Sequence, residues 1–201
     1  MAINLKKGQR ISLEKEAPGL EKVMCGLGWD VAEKSGGIMG IFQQKQQDID
    51  IDASVFCLDA NDKLHNNQDV IYYRNLQHPS GAIAHQGDNL TGEGEGDDEQ
   101  VFVDLRQIPS DYAKLVFVVN IYDCLSRNQD FGQVSNAFVR LVNRDNNQEI
   151  ARYNLSGQEY EGQTGTIVAE ISRQENDEWQ MEAIGKGFRI HGIKELVRSY
   201  S

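Results

Sequence analysis

The stretch Asp48-Ile-Asp-Ile-Asp-Ala-Ser-Val-Phe-Cys-Leu58 alternates without a break. Successive side chains of a strand point to opposite faces, so Ile49, Ile51, Ala53, Val55 and Cys57 share one face. Asp48, Asp50, Asp52 and Ser54 share the other, until Phe56 and Leu58 turn that face apolar. Same-face neighbours stand ~7 Å apart. Two carboxylates at that spacing repel by about 2 kcal/mol at an effective dielectric of ~20, and aspartate is depleted from strands. Three of them on one face of an otherwise strong strand call for compensation, and the chain from Asp48 to Asp62 contains no Lys or Arg. A divalent cation would supply it.

Outward from this strand the same period recurs. Lys22–Asp30 carries Val23, Cys25, Leu27 and Trp29 on one face. Strands are also predicted over Arg10–Leu13, Asp69–Asn75, Gln100–Leu105, Leu115–Tyr122, Asn136–Val142, Glu149–Leu155, Thr164–Ile171 and Glu178–Ile184. Val116–Val119 is a continuous apolar run, which suits a strand covered on both faces. Helix signals are few: Pro109-Ser110-Asp111 could start a turn of helix, and Gly192–Ser199 carries Ile193, Leu196 and Val197 on one stripe. Short strands at ~10-residue spacing with Gly, Asn and Asp between them predict an all-β fold. The architecture expected is an antiparallel β-sandwich with a few short helices, one of them C-terminal. No linker, repeat or boundary divides the 201 residues, so residues 1–201 read as a single domain.

The charge is local. The chain holds 31 Asp and Glu against 20 Lys and Arg, for a net −11. Five of those acids lie in Asp48–Asp62 and six in Gly87–Glu99, both windows without a base; the remainder is neutral. Phosphate would be repelled by both windows, so no nucleic-acid partner is expected there. No apolar run approaches the ~20 residues that span a bilayer, and the N-terminus lacks the apolar stretch of a signal peptide. Cys25, Cys57 and Cys124 are odd in number and far apart, which suits reduced thiols in a cytoplasmic protein.

The second window, Gly87-Asp-Asn-Leu-Thr-Gly-Glu-Gly-Glu-Gly-Asp-Asp-Glu99, alternates glycine with acid from Gly92 onward. Glycine lets such a loop fold tightly and turn both carbonyls and carboxylates inward. Calcium takes roughly six to eight hard oxygen ligands in flexible geometry, whereas magnesium demands a stricter octahedron. Zinc would want His or Cys, and His65, His78, His85 and His191 show no ligand spacing. Calcium is the ion this inventory suits. Neither window is an EF-hand: with Asp48 first, Ala53 stands at the glycine position, and with Asp88 first, Glu93 does. Nor is Gly92-Glu-Gly-Glu-Gly a phosphate loop, since no buried parallel strand precedes it and its acids would repel phosphate.

These residues resemble the signature of the TerD family of tellurium-resistance proteins. The thirteen residues Gly87–Glu99 look like its loop, and Gly26-Leu-Gly-Trp-Asp30, Asp50-Ile-Asp-Ala-Ser54 and Phe131-Gly-Gln-Val-Ser-Asn-Ala-Phe138 look like its other hallmarks, in the family's order. The resemblance covers nearly the whole chain. It implies a bacterial cytoplasmic β-sandwich of the tellurite-resistance and general stress response, without established enzymatic activity, that binds calcium, generally two ions, at its acidic end. The ligands it implies are Asp50, Asp52, Asp88, Asn89, Asp97, Asp98 and Glu99, joined by Asp30 and Glu95 and by carbonyls of the glycine-rich stretch, Gly92 among them. Trp29 and Phe138 read as core, and Asn136 as a turn residue bonding backbone. Ser35–Gln47 is longer and more apolar at its tip than the family's plainest members, which admits a homo-oligomer.

The function expected is therefore a non-enzymatic, calcium-dependent interaction or scaffold module whose partners are other tellurite-resistance and stress proteins, some of them membrane-associated. Two alternatives stand beside it. One is a metal-dependent hydrolase or nucleotide-processing enzyme using the acidic cluster, for which no nucleophile or general base can be named. The other is a calcium-bridged membrane binder using the Ile38–Phe42 tip.

Overall fold

The computed structural model describes residues 2–31, 49–87, 96–155 and 158–201. Asp48, the loop 35–47 and its 38–42 tip lie outside them, as do Asp88, Asn89, Gly92 and Glu95. The strands are β1 (Ile3–Asn4), β2 (Arg10–Ser12), β3 (Lys22–Val31), β4 (Ile51–Leu58), β5 (Val70–Ile71) and β6 (Ile83–His85). They continue as β7 (Glu99–Asp104), β8 (Lys114–Ile121), β9 (Val134–Asn143), β10 (Gln148–Asn154), β11 (Gly165–Arg173) and β12 (Trp179–Phe188). Short helices are α1 (Leu13–Glu16), α2 (Cys124–Arg127) and α3 (Ile193–Ser199).

Among the described residues the strands form two six-stranded sheets, ordered β1-β10-β9-β3-β7-β6 and β2-β12-β11-β8-β4-β5. Every pairing is antiparallel except that of β1 with β10. The two sheets face each other across one core. Val23, Cys25, Leu27 and Trp29 of β3 meet Ile51, Val55 and Cys57 of β4 and Leu115, Phe117 and Val119 of β8 there. All three cysteines are free and buried.

The apolar turn of β4's other face has a structural counterpart. Phe56 and Leu58 join Val116, Val118 and Ile167 in a second core on the outer face of the β4 sheet. Helix α3 covers it with Ile193, Leu196 and Val197, and Tyr200 sets its ring edge-on to Phe56 at 5.6 Å. The C-terminus is pinned where Leu64 N–H donates to the Tyr200 carbonyl at 2.8 Å and Lys63 Nζ to that of Ser201 at 2.6 Å. Full burial of Phe56 stabilises by about 1.5–3 kcal/mol. The run Val116–Val119 is covered on both faces because β8 sits between the two cores.

Some expectations change. The strand predicted over 69–75 shrinks to Val70–Ile71. Asn66 and Asp69 form a reciprocal cap on the short 3-10 turn Asn67–Asp69 before it, and straight after Ile71 the chain turns back, Tyr72 N–H donating to the Asn75 carbonyl at 3.0 Å and Asn75 N–H to that of Tyr72 at 2.8 Å. Pro109-Ser110-Asp111 makes a turn closed by Tyr112 N–H to the Pro109 carbonyl at 3.1 Å, not a helix. Phe138 is not core: it lies half-buried over Gly28, with the Arg152 guanidinium 4.1 Å above its ring.

Candidate metal centre

The acidic strand and residues 96–99, the described end of the second acidic window, reach the same end of the sandwich by different routes. On β3, Gly26 and Gly28 point to the outer face, where β9 and the chain before β7 cross. A Cβ on Gly26 would collide with the Asp97 carboxyl, and one on Gly28 with the Phe138 ring and the Gly96 carbonyl. These two positions require glycine because carboxylate and ring occupy the space a side chain would fill.

Asp97 fills that space with a fully buried carboxyl. Arg140 on β9 grips it in a two-pronged pair, Nε to Oδ1 at 2.7 Å and Nη2 to Oδ2 at 2.9 Å. Gln100 Nε2 adds a contact at 3.3 Å. Arg140 also reaches Glu149 at 3.2 Å, which in turn holds Arg152. Arg140 and Arg152 face each other directly across β9 and β10, and the intervening carboxylate offsets their repulsion.

Asp98 is tied at both ends. Its N–H donates to the Leu27 carbonyl at 2.7 Å, and its Oδ2 accepts from Trp29 N–H at 2.8 Å. Burial, joined by the like charges of Asp30 and Asp97, holds its carboxyl above the ordinary carboxylate range against the opposing effect of the Trp29 N–H. Asp30 is exposed at the end of β3. Between Gly28 and Asp30 the partner strand β9 spends three steps, Phe138 to Ser135, against two, so a bulge forms. Asn136 sits in it at φ 50, and its Nδ2 donates to Asp30 Oδ2 at 2.8 Å. Asn136 thus bonds a carboxylate and not backbone; asparagine tolerates the left-handed conformation the bulge imposes.

Glu99 turns inward from β7 and crosses to the other sheet. Its fully buried Oε2 accepts the N–H of Ala53, on the edge of β4 that the short β5 leaves uncovered, and lies 3.5 Å from His85 Nε2. His85 Nδ1 accepts from Gly87 N–H at 3.2 Å, so Nε2 carries the ring proton toward Glu99. Asp50 and Asp52 flank this junction, 7% and 4% exposed. The Asp50 carbonyl accepts from Tyr122 N–H at 2.8 Å, and Asp52 Oδ2 from Asn120 Nδ2 at 3.4 Å.

The starts of β4 and β7 and the end of β3 thus bring Asp50, Asp52, Asp97, Asp98, Glu99 and Asp30 to one end of the molecule. Among the described residues, no group of three or more His, Cys, Asp or Glu side chains is arranged to hold a metal ion. Four of the ten expected ligands, Asp88, Asn89, Gly92 and Glu95, are not described. Asp50 and Asp52 at the start of β4 and Asp98 before β7 each offer carboxylate oxygens in partly desolvated surroundings, the donor type that a hard cation takes.

A TerD domain model matches residues 1–200 of the chain. The chain belongs to the TerD family. It is 46% identical over 201 residues to stress response protein SCP2 of Bacillus subtilis (strain 168), covering 100% of both chains. It is 44% identical over 200 residues to tellurium resistance protein TerD of Serratia marcescens, covering 100% of this chain and 97% of that one. The crystal structure of a TerD homologue from Streptomyces coelicolor A3(2) superposes with a TM-score of 0.67 at 22% identity, over 91% of this chain and 99% of that one. That likeness carries the sandwich fold; the closer relatives place the chain in a family of tellurium-resistance and general stress proteins. No helix among the described residues is long and apolar enough to cross a membrane.

Residues the sequence did not flag organise this end. Arg140 lies 43 positions from Asp97, Asn120 lies 68 from Asp52, and His85 belongs to a three-residue strand. A base-free acidic window calls for a counterion from elsewhere, but that signal reads as a divalent cation and singles out no arginine.

Proposed function

We propose that this chain is a calcium-binding, non-enzymatic interaction module of the tellurium-resistance and stress response. The observation that carries the proposal is the convergence of carboxylates from three separate stretches, two of them the buried Asp50 and Asp52, on one end of a sandwich whose sheets Glu99 ties together there. Asp50, Asp52 and Asp98, with Asp88, Asn89, Gly92 and Glu95, would hold the calcium, two ions as the family resemblance implies. Asp97 and Glu99 have structural work, one against Arg140 and the other against Ala53, and shape the site from behind.

A bound divalent cation would offset the mutual repulsion of these acids and fix the acidic loop against β3 and β4. The surface so ordered would be the one offered to partner proteins in the cytoplasm. The test is thermal melting of the full chain in calcium against chelator. Stabilisation that disappears in the Asp50→Asn, Asp98→Asn double variant supports the proposal, and identical melts in both conditions refute it.

A further inference from the structure

Residues 76–85 form a hairpin on the edge of the sandwich, where β6 ends one sheet and β5 the other. His78 N–H donates to the Ile83 carbonyl at 3.0 Å, and His85 N–H to that of Leu76 at 2.8 Å. The base of the hairpin sets His85 against Glu99, and the second acidic window begins two residues on, at Gly87. The tip carries His78, a buried imidazole that lies outside the acidic end. We infer that His78 is an acid-sensitive latch, and that protonating its ring opens this hairpin.

The turn itself resists a second proton on the ring. Ser80 N–H donates to His78 Nδ1 at 3.2 Å, and the Ser80 hydroxyl lies 2.7 Å from the same atom. Nδ1 is therefore an acceptor, and the ring proton sits on Nε2. These bonds shape the tip: Ser80 Oγ accepts from Ala82 N–H at 3.2 Å, and Gly81 N–H donates to the His78 carbonyl at 2.8 Å. A proton on Nδ1 would make that acceptor a donor and set it against the Ser80 N–H. The turn would then have to give way.

The surroundings do little to hold a cation. Nε2 faces Asp69 Oδ1 at 3.7 Å, long for a hydrogen bond. Asp69 is buried and already takes three donors: the Tyr112 hydroxyl on Oδ1 at 2.8 Å, and the His65 and Asn66 N–H groups on Oδ2 at 2.7 and 2.9 Å. The Tyr112 ring stands edge-on to the imidazole, with centroids 5.1 Å apart, and also meets the His65 ring at 5.0 Å. The titratable groups around His78 are thus Asp69 and Tyr112, with Asp111, His65 and Cys57 beyond them. Burial pushes the ring below the ordinary histidine range, against the opposing effects of Asp69 and then Asp111. The unfolded chain binds the proton first. Stability is therefore lost as pH falls from the ordinary histidine range toward the depressed folded value.

The inference does not rest on the calcium reading, so the experiment is run in chelator throughout. Hydrogen exchange of the full chain is measured at about pH 7 and about pH 5, corrected for intrinsic exchange. Protection of the His78, Ala82 and His85 amides should fall by about threefold or more at the lower pH. His78→Asn keeps an acceptor for the Ser80 N–H and cannot titrate. It should protect these amides less at pH 7 and lose the difference between the two pH values. Equal protection at both pH values in the parent chain, or the same fall in His78→Asn, overturns the inference. A second measurement needs no variant: followed by NMR in the parent chain, the His78 ring should titrate below the histidines of the urea-unfolded chain. Titration at or above them overturns the inference as well.

Discussion

The guanidinium of Arg140 and the carboxyl of Asp97 form a two-pronged ion pair in the space that Gly26 leaves by having no side chain. The pair joins β9 to the chain that leads into β7, immediately before the Asp98 and Glu99 anchors. Its Asp97 side is fully buried. Removing one partner of a buried pair strands the other charge, at a cost of about 3–5 kcal/mol. Arg140→Ala is therefore expected to lower stability in urea melts by about that amount. Arg140→Lys keeps the charge, loses the fork and recovers only part of it. A loss below about 1 kcal/mol, the value of an exposed pair, would contradict this role.

Glu99 is the counterpart on the inner side. Glu99→Ala removes the acceptor of the Ala53 N–H and leaves that edge donor of β4 orphaned, so a loss of about 2–3 kcal/mol is expected. Glu99→Gln retains an acceptor of the same reach and is expected to cost less than half as much. Hydrogen exchange reports the site of the damage: protection should fall first at Ala53.

Most of the sandwich was legible in the sequence because burial in strands imposes a period of two. β3, β4 and β7–β12 follow their patterns to within a few residues, and α3 lies where its Ile193, Leu196, Val197 stripe places it. Short elements were not legible: β6 offers only three residues after a Pro-Ser-Gly turn, and β1 only two. At the acidic end the carboxylates were visible as unbalanced charge, but their partners were not. Arg140, Asn120 and His85 come from other strands, and register sets such contacts where local pattern does not. The two glycines of β3 read as bland because the groups they make room for arrive from elsewhere in the chain.

The second core predicts that stability and metal binding separate. Phe56 is fully buried under Tyr200 on the face that carries Asp52 four positions earlier. Phe56→Ala is expected to cost about 3–5 kcal/mol. Calcium stoichiometry measured on the fraction that remains folded should be unchanged.

Acid should act on two groups with opposite sign. Arg152, then Arg140, holds the Glu149 carboxyl below the ordinary range, so its stabilisation is present above that range and is lost as pH falls through the depressed folded value. Glu149→Gln should flatten the acid limb of the stability profile. Asp98 is raised by burial and by Asp30 and Asp97, so its charged form opposes folding at neutral pH, and that penalty disappears as pH falls below the ordinary carboxylate range. In chelator at neutral pH, Asp98→Asn should melt no lower than the parent chain.

The central claim is that the acidic end holds calcium, and calorimetric titration of the chelator-stripped full chain tests it most directly, with magnesium as the control ion. The expected result is saturable calcium binding, about two ions per chain and little altered by magnesium. At a hundredfold excess over the dissociation constant it should stabilise by about 2.7 kcal/mol, a rise in melting temperature of about 5–10 °C, and both effects should vanish in Asp50→Asn, Asp98→Asn. No saturable heat, or binding that the double variant leaves intact, would contradict it.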